Sequence, residues 1–169
     1  MNPPKSYKIL ILCTGNSARS IIGEYLLRAK SRGRFEAYSA GAKPSGTVNP
    51  LALWVLKDRY GIDASDARSK SWDEFREVKF DFVITVCDNA KESCPVFPGR
   101  PITAHWSSPD PAAAEGTEQQ KKWVFVQVAS QIARRIELLC ALPERELQKL
   151  QIEKLAEATK LEVKPEPAA

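Results

Sequence analysis

The 169-residue chain contains a single histidine, His105. It has four cysteines, Cys13, Cys87, Cys94 and Cys140, but no C-x2-C pair and no cysteine–histidine cluster. Zinc sites are built from such pairs and clusters, so no metal and no cofactor is expected. No apolar run reaches the ~20 residues needed to cross a bilayer, and there is no internal repeat. The first six residues are polar and proline-rich, unlike a secretory leader. The expectation is a cytoplasmic, monomeric protein that does not touch a membrane, with cysteines that do not form a structural disulfide framework. The basic residues are scattered and lack an aromatic platform, which argues against nucleic acid. Redox or nucleophilic chemistry is left for the thiols.

The composition that is present, 43% hydrophobic and 27% charged, suits one globular domain with a core. The net charge of +4 is uneven. Residues 1–60 hold ten Lys or Arg against three Asp or Glu, a net of +7. A basic N-terminal third favours an anionic ligand.

Hydrophobic patterning divides the chain into alternating elements. Tyr7 to Leu12 (YKILIL) reads as a buried strand. Ser20 to Lys30 carries Ile22, Leu26 and Ala29 at helical spacing. FEAYSAG reads as a second strand ending at Gly41. Asn49 to Tyr60 reads as a helix with Leu53 and Leu56 on one face, stopped by Gly61. FDFVITVC, ending on Cys87, is a second strongly buried strand, and ITAHW is a shorter one. Thr117 and Gln120 fit a capping box that opens a long helix to Leu142. Its core stripe is Phe125, Val128, Ile132, Ile136 and Leu139. Strands alternating with helices imply an α/β fold with a parallel sheet. Ligands bind at the C-terminal ends of such strands, so Cys13 and Cys87 are expected to be neighbours. Residues 1–142 form the expected catalytic domain. Residues 143–169 carry six acids, five bases and three prolines without an aromatic residue, and read as a charged helix and frayed tail.

The most informative stretch is LCTGNSARS, residues 12–20. The thiolate is the reactive form of cysteine, so a nucleophilic Cys13 needs donors aimed at its sulfur. The amides of Thr14, Gly15, Asn16, Ser17 and Ala18 can converge on an anion. The N-terminus of the following helix adds a positive dipole. Arg19 offers a planar fork for two oxygens of a tetrahedral oxyanion, and the Ser20 hydroxyl can donate to sulfur. C-x5-R alone arises by chance; between a buried strand and an amphipathic helix it points to function.

Four segments, ILCTGNSARS, YSAG, VCDNAKESCPVFPG and HWSSPDPA, together resemble the low-molecular-weight tyrosine phosphatase superfamily. More narrowly they resemble its thiol-dependent arsenate reductases, over residues 7 to about 141. The resemblance implies a four-stranded parallel sheet flanked by helices. It implies Cys13 as nucleophile, Arg19 as oxyanion ligand and Asp110 as general acid. It further implies a relay in which Cys87 attacks Cys13 and Cys94 then attacks Cys87, with thioredoxin or another dithiol protein restoring the enzyme. The polar segment between Cys87 and Cys94 would refold to let the two sulfurs meet. His105 and Trp106 are expected to pack at a strand end, the alternative being to line the pocket, and Cys140 to be structural or incidental.

The chain departs from the family pattern in three places. Ala18 stands where many members have a second cysteine. Ala112 follows Asp110-Pro111 where the phosphatases usually have a tyrosine, which argues against a phosphotyrosine substrate. Some of these reductases bind potassium beside the loop. Asn16, Glu24 and Ser39 match its ligands, but Lys70 holds the position of an expected aspartate. Its ammonium can take the cation's place and pair with Glu24; the alternative is a solvent-exposed Lys70. A phosphatase acting on phosphotyrosine or a small phosphoester is the main rival, followed by a non-enzymatic oxyanion-binding regulatory module.

Overall fold

The structure, a computed structural model, describes residues 5–147 and 163–166. Four strands, β1 (Tyr7–Cys13), β2 (Phe35–Gly41), β3 (Phe82–Thr85) and β4 (Ile102–His105), form one parallel sheet in the order β2-β1-β3-β4. The helices are α1 (Arg19–Lys30), α2 (Pro50–Tyr60), α3 (Asp88–Ser93), α4 (Glu118–Ala141) and α5 (Glu144–Leu147).

The chain leaves β1 for β2 on one side of the sheet and later enters β3 on the other. The loops after β1 and β3 therefore diverge from adjacent strand ends, the position where open α/β sheets hold ligands. Leu12 is in register with Thr85, which brings the segments around Cys13 and Cys87 to the same edge.

The sheet forms where the sequence is apolar over short runs. Ile9, Leu10, Ile11 and Leu12 are buried, as are Phe82, Val83 and Ile84. Helices close the hydrophobic faces. The capping box of α4 is formed by Thr117 and Gln120, and Phe125, Val128, Ile132, Ile136 and Leu139 are all buried. On α2, Asn49 caps the first turn through Leu51 N–H at 2.9 Å, and Gly61 ends it at φ 65°. The buried face of α2 is Ala52, Val55 and Leu56; Leu53 is only partly covered.

One expectation needs correction. β3 ends at Thr85, and Cys87, still extended at φ −134° and ψ 153°, is the N-cap of α3. The polar segment after it is helical, too short to show a hydrophobic period. Core packing continues past residue 142, since Leu147 of α5 is fully buried. Residues 148–162, where most of the expected tail helix falls, lie outside the described residues. Of the expected frayed end, Lys164 exchanges two hydrogen bonds of 2.9 Å with Gln127 of α4. Among the described residues no helix is long and apolar enough to cross a membrane.

Candidate active site

Cys13 is the last residue of β1, and the loop from Thr14 to Ala18 wraps around its sulfur. The shape of the loop is set by outside donors. The carbonyls of Cys13, Thr14, Gly15 and Ser17 accept from the N–H groups of Ala42, Lys43, Ser45 and Asn49 at 3.2, 2.9, 2.9 and 2.8 Å. Ser69 Oγ adds a second donor to Gly15 O at 2.9 Å. Because peptides are planar and trans, carbonyls turned outward leave the opposing N–H groups facing inward. Asn16, at φ 46°, makes the turn that curves the loop into a nest. This brace, residues 42–49 with Ser69, was not foreseen in the sequence. It also explains YSAG: a Cβ on Gly41 would stand 2.5 Å from Thr14 O, so only glycine lets β2 approach the loop.

Two groups approach the sulfur, one from the loop and one from the first turn of α1. Asn16 N–H reaches Cys13 Sγ at 3.2 Å, and Ser20 Oγ lies 2.8 Å from it. Asn16 Nδ2 donates to Ser20 Oγ at 2.8 Å, which leaves the serine proton free to point at sulfur. Ala18 is the N-cap of α1 and offers no side-chain cap. The first amides of α1 are thus left for an anion.

Behind the loop lies a buried polar cluster. Asn16 and Ser39 are fully buried, and Glu24 and Lys70 nearly so. Asn16 Nδ2 donates to Ser39 Oγ at 3.0 Å, and Asn16 Oδ1 accepts from Lys70 N–H at 2.9 Å. Lys70 Nζ donates to Ser39 Oγ and Arg68 O, each at 3.2 Å, and more weakly to Asn16 Oδ1 at 3.4 Å. It sits 4.0 Å from Glu24 Oε1. The solvent-exposed alternative for Lys70 is therefore overturned. An ammonium already stands among Asn16, Ser39 and Glu24, so these residues do not fit a potassium ion. Among the described residues no group of His, Cys, Asp and Glu could hold another metal.

Arg19 begins α1. Its Nη1 donates to Ser108 O at 2.8 Å, and its Nη2 lies 3.9 Å from Asp110 Oδ2. Asp110 is half exposed, and its Oδ1 accepts from Ala112 N–H at 3.0 Å, which fixes the carboxylate at the loop's rim. The chain around Asp110 is anchored by a residue that the sequence reading missed. Arg135 of α4, buried, donates to Ser107 O at 2.9 Å and Ser108 Oγ at 3.2 Å. Burial lowers its pKa to about 10. Ser108 Oγ donates to Gln131 Oε1 at 3.0 Å. The only signal of this pair in the sequence is a Gln and an Arg four apart beside the apolar stripe.

The other thiols are placed unequally. Cys87 Sγ lies 3.2 Å from Thr14 Oγ1, which also accepts from Asn89 Nδ2 at 3.3 Å. Cys94 caps the far end of α3, and burial pushes its thiol above the ordinary cysteine range. Cys140 is remote; its carbonyl accepts from Arg34 Nη1 at 2.9 Å. Trp106 is buried, and His105 bonds to Thr85 and Asp88.

A nest of amides closed by an arginine fork and faced by a carboxylate suits thiol-based chemistry on a tetrahedral oxyanion. The chain belongs to the family of low molecular weight phosphotyrosine protein phosphatases, whose model matches residues 8–154. An arsenate reductase of Halalkalibacterium halodurans is 40% identical over 128 residues, 76% of this chain and 91% of the relative. A low molecular weight protein tyrosine phosphatase from T. tengcongensis superposes with a TM-score of 0.68 at 29% identity, covering 81% of this chain and 100% of its own. A thioredoxin-dependent arsenate reductase of Corynebacterium glutamicum superposes at 0.59 with 26% identity, covering 88% of this chain and 64% of its own. Reductases and a phosphatase share the fold, so fold alone does not choose between them.

Proposed function

We propose that the protein reduces arsenate to arsenite, with Cys13 as nucleophile, a Cys87–Cys94 disulfide relay, and a dithiol protein of the thioredoxin type as electron donor. One observation carries the reading: Cys87 Sγ stands 3.2 Å from Thr14 Oγ1 at the rim of the Cys13 loop, with Cys94 at the other end of the following helix. Phosphoester hydrolysis would use Cys13, Arg19 and Asp110 and has no task for two further thiols. The relatives named as arsenate reductases, one of them thioredoxin-dependent, support the same choice.

The loop amides, Thr14 to Ser20, and the Arg19 fork hold the oxyanion. Cys13 sulfur bonds to arsenic, Asp110 supplies a proton, and water leaves. Cys87 then attacks Cys13 sulfur. The sulfur–arsenic bond breaks, its electron pair passes to arsenic, and arsenite departs. Cys94 attacks Cys87 sulfur, which frees Cys13 and leaves the Cys87–Cys94 disulfide. An external dithiol reduces it by the same exchange. Asn16, Ser39, Glu24 and Lys70 hold the loop from behind. In this reading residues 1–142 carry the chemistry and 143–169 take no part. We take the protein to act as a monomer in the cytoplasm, where thiols stay reduced.

The test is arsenate reduction coupled to thioredoxin and thioredoxin reductase, run beside hydrolysis of an artificial phosphoester. Sustained arsenate turnover is expected. Phosphoester hydrolysis without arsenate turnover would favour the phosphatase.

A further inference from the structure

Helix α3 keeps the two relay thiols apart. Cys87 is its N-cap and Cys94 its C-cap, seven residues on. At a rise of about 1.5 Å per residue the helix separates their Cα atoms by roughly 10 Å. A disulfide needs Cα atoms about 4.4–6.8 Å apart, so α3 must unwind for the bond to form.

The helix has little to hold it. It is six residues long and lacks a side-chain cap at its N-terminus, and only Ala90 is buried. Isolated helices of that length are unstable. Two contacts tie its first turn to fixed elements. Asp88 Oδ1 lies 2.8 Å from Nε2 of His105, the last residue of β4. Asn89 Nδ2 reaches Thr14 of the Cys13 loop.

His105 is itself oriented. Its Nδ1 lies 2.8 Å from the hydroxyl of Thr85, the last residue of β3. The Asp88 carboxylate can only accept, so in the neutral ring the proton is on Nε2 and donates to Asp88, which leaves Nδ1 to accept from the Thr85 hydroxyl, itself also 3.4 Å from Ala104 O; this tautomer is assigned from the hydrogen-bond network. The sheet edge thus presents a fixed donor to an exposed helix turn.

We propose that Asp88 and His105, helped by Asn89 and Thr14, form a clasp that keeps α3 wound in the dithiol enzyme and opens when the Cys87–Cys94 disulfide forms. This rests on the relay proposed above and adds His105 and Asp88 as positioning residues. The clasp exists only in the dithiol form, so it opposes oxidation and helps the external reductant to reset the enzyme. It also orders the steps. When Cys87 attacks Cys13 it must leave its contact with Thr14 Oγ1, while Asp88 and Asn89 still hold the first turn until the second exchange. While α3 stays wound, burial disfavours the Cys94 thiolate.

The experiment is equilibration of the full chain in reduced and oxidised dithiothreitol, followed by alkylation and peptide mass mapping of Cys87–Cys94. The parent is compared with Asp88→Ala, His105→Gln, the double variant and Glu92→Ala, an exposed position on the same helix. Each single variant of the pair should shift the equilibrium roughly three- to tenfold toward the disulfide, about the worth of one hydrogen bond. The double should shift it no further than the larger single, which separates the clasp from the loss of helix N-terminal charge at Asp88. Glu92→Ala should leave it unchanged. Amide exchange within α3 should speed up in reduced Asp88→Ala, a readout that does not depend on His105→Gln folding well. Unshifted or simply additive equilibria would overturn the clasp while leaving the relay intact. If the parent forms no Cys87–Cys94 disulfide, the relay falls and the clasp with it.

Discussion

Lys70 Nζ lies 4.0 Å from Glu24 Oε1 at the back of the oxyanion loop, with side-chain exposures of 7% and 4%. Burial pushes the Glu24 carboxyl up and the Lys70 ammonium down, and their mutual attraction opposes both. Removing one partner strands a buried charge, although Arg28, 3.1 Å from Glu24, softens the loss. Lys70→Ala should therefore lose about 2 kcal/mol in denaturant titration. Glu24→Gln/Lys70→Met should recover most of it, since a buried pair replaced as a unit is often neutral. The raised carboxyl favours folding only below its unfolded pKa, and the lowered ammonium only above its own. Both penalties thus apply between those limits, and the double variant's advantage over Lys70→Ala should be greatest near neutral pH. Potassium in place of sodium at constant ionic strength should not raise the parent's Tm.

The 2.5 Å approach that a Gly41 Cβ would make to Thr14 O involves backbone on both sides, so no flexible side chain can yield. Gly41→Ala should destabilise by roughly 1–3 kcal/mol. It should also lower arsenate turnover by more than that loss explains, because the displaced atom belongs to the nest. Thermal unfolding and steady-state kinetics on one sample check both.

Arg135 touches the Ser107–Ser108 segment from behind, while Arg19 holds Ser108 O from the front. Arg135→Lys should keep charge but lose the rigid guanidinium whose Nη1 reaches both Ser107 O and Ser108 Oγ, letting the Asp110 loop drift. About a tenfold fall in kcat with KM nearly unchanged is expected, the mark of a lost proton donor position rather than lost oxyanion binding. A rise in KM alone would place its role in substrate binding.

Much of this architecture was legible in the sequence because its signals are local. The apolar runs of β1 and β3, the Thr117–Gln120 box and the contiguous loop from Cys13 to Ser20 each carry their chemistry in neighbouring residues. The brace from Ala42 to Asn49 was hidden because it acts through backbone N–H groups, which leave no side-chain signature. Arg135 and Gln131 were hidden because polar residues four apart beside an apolar stripe look like a solvated helix face. Helix α3 is too short to display a period. Lys70 was legible as a substitution within a motif, but only its burial distinguishes an internal counter-charge from a surface lysine.

The most direct measurement is arsenate-dependent consumption of NADPH through thioredoxin reductase and thioredoxin, in the parent, Cys13→Ser, Cys87→Ser and Cys94→Ser, with phosphoester hydrolysis assayed on the same samples. Cys13→Ser should lose both activities. Cys87→Ser and Cys94→Ser should each lose sustained arsenate turnover, by at least a hundredfold on the scale typical of lost catalytic groups, yet keep phosphoester hydrolysis near the parental rate. Parental arsenate turnover in both relay variants would contradict a reductase working through Cys87 and Cys94.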